Sequence, residues 1–255
     1  MQVIVEELDL RHLDPKTLAV FLDFDGTLAD IADHPSMVAV DRETKSLLQT
    51  LDQAPNGALA VISGRPITEV DRMLTPLRLP VAGVHGFERR DFGGVLHSVA
   101  IDEVAVAKLA DELQCFAADL PGIFVERKPG AVALHYRGHP KLEKLCLETM
   151  RRYARTSGHF EVLHGKMVIE AKAGSWSKAD AVAAFMSEAP FKGRLPLFAG
   201  DDVTDEAAFA AIAEQDGISI KVGQGKSCAR YRAATPAHFL GWLGRLNCQF
   251  AKREL

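Results

Sequence analysis

Apolar runs of four or five residues, each stopped by a polar or glycine-bearing turn, recur along the chain. Residues 18–22, Leu-Ala-Val-Phe-Leu, run straight into Asp23-Phe24-Asp25-Gly26-Thr27, the pattern of a strand buried on both faces and closed by a turn. Asp41 then stands where it can cap a helix that places Leu47, Leu48 and Leu51 on one face. A second apolar run at 58–62 stops at Ser63-Gly64-Arg65-Pro66, whose proline suits the first turn of a helix. A third, at 80–84, leads into His85-Gly86-Phe87-Glu88. Strands alternating with helices predict a parallel sheet.

The texture changes between about residues 99 and 171. Val104, Leu109, Leu113, Phe116 and Leu120 keep helical spacing, and strands at 123–128 and 131–137 are joined by Pro129-Gly130, a hairpin signal. A helix over roughly 139–155 and a second strand pair, 160–164 and 167–172 around Gly165-Lys166, repeat the unit. Two helix-plus-hairpin units in series predict a separate α+β insertion. After 172 the first pattern resumes. Ser177 can cap a helix beginning at Lys178, a strand at 195–199 runs into Gly200-Asp201-Asp202-Val203-Thr204-Asp205-Glu206, and a further strand covers 218–222. Pro196 weakens the first of those strand assignments, since proline cannot donate to a ladder. The expected division is a core of residues 1–98 and 172–255 with an insertion at 99–171.

Composition narrows the class. The chain has 255 residues, 47% of them hydrophobic, enough for a proper core, and a formal net charge of −4. That charge and the absence of a basic stripe argue against nucleic acid or an anionic membrane as partner. Cys115, Cys146, Cys228 and Cys248 are too widely spaced for a C-x-x-C site and read as reduced, mostly buried thiols. No apolar stretch approaches the roughly 18 residues of a membrane span, and residues 1–7 lack a basic leader. The expectation is a soluble, cytoplasmic protein.

Polar residues gather where strands stop. Asp23 and Asp25, two apart on an extended chain, are expected to point to one side. Ligands of open parallel sheets sit in the crevice beyond the strand ends, and two carboxylates sharing a small site need a cation between them or a retained proton. Ser63, Lys178, Asp201 and Asp202 arrive at the same end. Several carboxylates with one lysine suit a hard cation and a phosphate: Mg2+ takes oxygen ligands together with a substrate phosphate, and a lysine at a helix start adds charge where anions are already favoured. Each residue taken alone has a plainer reading, Ser63 as a cap, Lys178 as a solvated first-turn residue, and Asp201 and Asp202 as turn formers. In the inserted segment, alternation puts Phe124, Glu126 and Lys128 on one strand face and Val168, Glu170 and Lys172 on another, which from pattern alone reads as solvated. Gly223-Gln224-Gly225-Lys226-Ser227 imitates a P-loop but has Ile220 where that motif requires glycine. It reads as a turn.

The D-x-D-G-T strand end, Ser63, Lys178 and Gly200-Asp201-Asp202-x-x-Asp205, in this order, resemble the four motifs of the haloacid dehalogenase superfamily of phosphohydrolases. Residues 84–90 (Val-His-Gly-Phe-Glu-Arg-Arg), 126–128 (Glu-Arg-Lys), 133–137 (Ala-Leu-His-Tyr-Arg) and 200–206 further resemble the trehalose-6-phosphate phosphatases. The resemblance implies an α/β fold with a Rossmann-like parallel-sheet core and an inserted α+β cap of the C2 type. It implies Asp23 as nucleophile, Asp25 as acid and base, and Ser63 and Lys178 as ligands of the transferring phosphoryl group. Mg2+ would be held by Asp23, the Asp25 backbone carbonyl and Asp201, with Asp202 and Asp205 in support. Glu126, Lys128 and Glu170 would bind sugar hydroxyls, and Gly64 and Arg65, next to Ser63, are counted with the substrate-binding residues. The implied substrate is a small sugar phosphate, with a functional pairing to trehalose-6-phosphate synthase. One departure is visible: Ala179 follows Lys178 where the family often has glycine.

Overall fold

The structure is a computed structural model that describes residues 2–32, 34–54, 57–157 and 160–252. The chain divides into two compact units, one made of residues 1–97 and 177–255, the other of 98–176.

The first unit contains β1 (Val3–Ile4), β2 (Leu18–Leu22), α1 (Arg42–Gln53), β3 (Leu59–Ile62), α2 (Ile67–Leu74), β4 (Val81–Gly83), β5 (Glu88–Arg90) and β6 (Leu96–Ser98). The second contains α3 (Glu103–Ala117), β7 (Phe124–Lys128), β8 (Ala131–His135), α4 (Glu143–Ser157), β9 (Glu161–Gly165) and β10 (Val168–Lys172). The chain then returns to the first unit with α5 (Lys178–Met186), β11 (Leu195–Gly200), α6 (Glu206–Ala213), β12 (Ile218–Val222), β13 (Tyr231–Ala233) and α7 (Pro236–Lys252).

A nine-stranded sheet, ordered β1-β13-β12-β11-β2-β3-β4-β5-β6, forms the centre of the first unit. Pairing is parallel from β1 through β4 and turns antiparallel at β4–β5. From β2 the chain builds outward through β3 and β4 on one side, and later through β11, β12 and β13 on the other. The order therefore reverses at β2, and the crevice beyond its C-terminal end, between β3 and β11, is the place such a sheet offers a ligand.

Alternate residues of β2 serve two cores, which is why the run is apolar throughout. Leu18, Val20 and Leu22 join Leu48 and Leu51 of α1 and Trp242 and Leu246 of α7. Ala19 and Phe21 join Phe185 of α5, Phe209 of α6, and Phe191 and Phe198; Phe21 stacks on Phe191 at 5.4 Å between ring centroids. Pro196 is accommodated within β11 because the pairing of β11 with β12 begins only at Leu197.

In the second unit a four-stranded sheet, β7-β8-β10-β9, packs against α3 and α4. Val132 and Leu134 of β8 and Ile169 and Ala171 of β10 meet Val106, Leu109 and Leu113 of α3 and Met150 of α4. Val104, read as part of the buried face, is exposed, and Val106 takes its place. The helix stops at Ala117, so Leu120 falls beyond it.

Several boundaries differ from expectation for identifiable reasons. Gly165 pairs with Val168, so the second hairpin turns on Lys166-Met167, with Met167 at φ 60. The third strand ends at Gly83 because Val84 and His85 adopt left-handed backbone angles. The cysteines are free, but only Cys146 is buried; Cys115, Cys228 and Cys248 are exposed. No described helix is long and apolar enough to cross a membrane.

Candidate active site

The extended chain of β2 ends before the D-x-D pair. Asp23 N still donates to the carbonyl of Ala199 on β11 at 2.9 Å, but the Phe24 carbonyl then accepts from Leu28 N at 2.9 Å and Ala29 N at 3.0 Å, closing a tight turn. Gly26 holds φ +76, and a Cβ there would run into the Asp201 carboxylate, so glycine is required both for conformation and for space. Strand alternation consequently does not govern Asp23 and Asp25, and their carboxylates take different partners. Asp23 is buried against Lys178; Asp25 is half-buried against Arg65.

Lys178 opens α5, whose N-terminus Ser177 caps by accepting from Asp180 N at 3.2 Å. Its ammonium donates to Asp23 Oδ1 at 2.7 Å and to Asp205 Oδ1 at 2.6 Å. All three groups are buried. The other Asp205 oxygen accepts from Asp202 N at 2.8 Å, while the Asp202 side chain accepts from the backbone of residue 205, a capping box at the end of β11. A second buried lysine, Lys221 of β12, donates to the Asp201 carbonyl.

Carboxylate oxygens of Asp23, Asp201 and Asp205 lie within 4.8 Å of one another. Burial, together with the charges of Asp205 and Asp201, holds the Asp23 carboxyl well above the usual carboxylate range despite the opposing ammonium. Burial works against the charge on Lys178, but Asp205 and Asp23 outweigh it and raise its proton affinity, so the lysine stays a cation. Three buried carboxylates facing one ammonium leave a negative excess. A divalent cation neutralises such an excess, and an all-oxygen donor set fits a hard one. Asp205 belongs to this trio while its two oxygens are engaged by Lys178 and Asp202 N, and the Asp25 carboxylate is not a member.

Ser63 ends β3, fully buried, its Oγ accepting from Arg65 N at 3.0 Å. The Arg65 guanidinium forms two 2.7 Å bonds to the two oxygens of Asp25 and a third, at 3.0 Å, to Glu69. Expected as a substrate ligand, Arg65 instead clamps Asp25 in the planar fork geometry that favours arginine over lysine. Sequence offers one signal for this clamp: Glu69 lies four residues on, helical spacing from Arg65.

The second unit carries its own polar cluster. Cross-strand register aligns Glu126 with Ala133 and Ala133 with Glu170, so two carboxylates flank a small side chain on one sheet face. Lys128 donates to Glu170 at 2.8 Å, and His135 bonds Glu126 at 2.7 Å. Phe124 stacks on His135 with ring centroids 4.2 Å apart and the two planes nearly parallel. Burial tends to push the Glu126 carboxyl up, but the bond from His135 and the charge of Lys128 bring it below its ordinary value. The solvated reading of these faces does not hold, because Glu170 and Lys172 are buried and Lys128 nearly so. Lys172 is tied to the Trp176 carbonyl and, at 3.1 Å, to Glu161. His135 lies within the resembling segment 133–137, and the hairpin register sets it opposite Phe124.

Residues 21–237 match the family described as trehalose-phosphatase. The chain is 42% identical over 236 residues to trehalose-6-phosphate phosphatase of Escherichia coli strain K12, covering 92% of this chain and 89% of that protein. A probable trehalose-phosphate phosphatase of Sinorhizobium fredii is 41% identical over 218 residues, covering 85% and 82%. Among solved structures, the C-terminal domain of C. albicans trehalose-6-phosphate phosphatase superposes with a TM-score of 0.87 over 97% of this chain and 98% of that one. At 22% identity that likeness speaks to the fold.

Proposed function

The chain belongs to the trehalose-phosphatase family, and from that premise we infer that it is a phosphohydrolase of the haloacid dehalogenase superfamily that hydrolyses trehalose 6-phosphate to trehalose and inorganic phosphate. The observation that carries the reading is the buried junction of Asp23, Lys178, Asp201 and Asp205 at the reversal point of the sheet.

Asp23 attacks phosphorus in line, forming an aspartyl phosphate as the bond to the sugar oxygen breaks, which divides one difficult transfer into two easier ones. Asp25 gives its proton to the departing sugar oxygen, then takes one from the water that attacks the aspartyl phosphate and releases phosphate. Because both Asp25 oxygens are bonded to Arg65, its service as an acid begins with the opening of that pair. Lys178, protonated and fixed at the start of a nine-residue helix, and Ser63 bind the transferring group. Asp23, the Asp25 backbone carbonyl and Asp201 are the residues to hold Mg2+, with Asp202 and Asp205 steadying them. When bound, the ion supplies positive charge that offsets repulsion between the carboxylate nucleophile and the phosphate dianion. Gly64 lets the backbone beside Ser63 approach the phosphate.

Residues 99–171 serve as the sugar-reading cap, in which Glu126, Lys128 and Glu170 bind hydroxyls of the uncharged glucose. Paired carboxylates and an ammonium on a face kept open by Ala131 and Ala133 suit a hydroxyl-rich ligand. Trehalose-6-phosphate synthase makes this substrate, so the two activities form a natural functional pair in the cytoplasm.

The test is phosphate release from trehalose 6-phosphate with and without Mg2+, beside sucrose phosphate and mannosyl-phosphoglycerate. Mg2+-dependent turnover strongly favouring trehalose 6-phosphate is expected. A preference for another sugar phosphate would reassign the substrate, and turnover of none would remove the reading.

A further inference from the structure

Two successive residues after β4 stand where side-chain-bearing residues are strained. Val84 has φ 46 and His85 φ 57, the left-handed region that β-branched residues such as valine avoid most. Backbone bonds hold this turn against the loop after β3: Val84 N donates to the Arg65 carbonyl at 3.0 Å and His85 N to the Ser63 carbonyl at 2.9 Å. On its other side Gly86, φ +107, lies so near the start of α5 that a Cβ would come within 2.7 Å of the Ser177 carbonyl. The turn therefore touches both segments that present phosphate ligands, the one ending in Ser63 and the one beginning at Lys178. The imidazole of His85 is laid on Gly64, the residue after Ser63, where a Cβ would meet Cε1 at 2.8 Å and Nε2 at 2.9 Å.

Asparagine or glycine would hold this backbone with less strain. The β-branched Val84 is the residue least suited to this region, and strain that persists in a site argues that the turn carrying His85 is held in place for use.

We propose that His85 is a phosphate-contacting residue, an imidazole N–H donating to a non-bridging oxygen of the phosphoryl group held by Ser63 and Lys178. The proposal rests on the assignment of those two residues made above. It places a third donor on the group whose charge is redistributed in the transfer, the position where preorganised donors contribute most.

His85→Asn and His85→Gly both suit the left-handed backbone, so they separate a structural role from a binding one. For each, three quantities are measured on the Mg2+-supplied protein: the affinity for inorganic phosphate by calorimetry, KM for trehalose 6-phosphate and for 4-nitrophenyl phosphate, and the thermal midpoint. The expected result is a midpoint equal to or above that of the wild type, with phosphate affinity weakened about tenfold and both KM values raised alike, the effect of one lost hydrogen bond to a charged group. Unchanged phosphate affinity overturns the proposal. So does a raised KM for the sugar ester alone, which would place the imidazole on the sugar, and so does a midpoint that falls along with affinity. If the wild type hydrolyses neither ester, the proposed function fails, while phosphate calorimetry still decides the role of His85.

Discussion

Glu126 shows how one side chain can carry both a stability effect and a specificity effect. Its carboxyl is depressed below its ordinary value of 4.5 by His135 and Lys128, against the opposing pull of burial. A folded value lower than the unfolded one means a contribution present above pH 4.5 and lost as pH falls through the folded value. Glu126→Gln should therefore lower stability at neutral pH and flatten the acid limb, the two proteins converging as pH falls well below 4.5, read by denaturant midpoints at a series of pH values. For function, Glu126→Ala should lower kcat/KM for trehalose 6-phosphate by about 100-fold and for 4-nitrophenyl phosphate by only a few-fold, because a site built to bond a hydroxyl is left with unpaired polar groups. Equal losses on both would argue against sugar reading. The sequence marked Glu126, but not what fixes it: His135 reaches it only because the Pro129-Gly130 turn sets the register. Likewise Lys178 and Asp205, 27 residues apart in the chain, give no local sign of their 2.6 Å bond.

At the scale of elements, legibility followed burial. The continuous apolar runs that became β2, β3, β11 and β12 were readable because both of their faces are covered. β5, Glu-Arg-Arg, lacks any apolar alternation, and β1 and β6 are short edge strands, so only tertiary pairing reveals them. α7 went unread although it supplies Phe239, Trp242 and Leu246 to the core. Capping was accurate where a side chain could reach back: Asp41 accepts from Thr44 N at 2.6 Å at the start of α1. Asp41→Ala should cost about 1 kcal/mol, lowering the thermal midpoint by about 2–4 °C for a chain of this size, with turnover unchanged. A calorimetric scan beside a kinetic assay checks both. A change in kcat would mean that α1 does more than support β2.

For the molecule as a whole, the reversal of strand order at β2 does the assembling. It brings Asp23, Ser63 and Asp201, each at the end of a different strand, to one crevice and sets Lys178 at the head of a helix beside them. Net charge spoke only to partners, whereas the order of strand-end motifs along 255 residues carried the chemistry. The central claim is that Asp23 becomes esterified with the transferred phosphoryl group. Rapid acid quench of the enzyme with trehalose 6-phosphate and Mg2+, followed by peptide mass spectrometry, tests it directly. A phosphoryl group on the peptide containing Asp23, lost in Asp23→Asn together with at least about 10³-fold of kcat, is the predicted result. Wild-type turnover by Asp23→Asn, or a phosphoryl group carried on another residue, would contradict it.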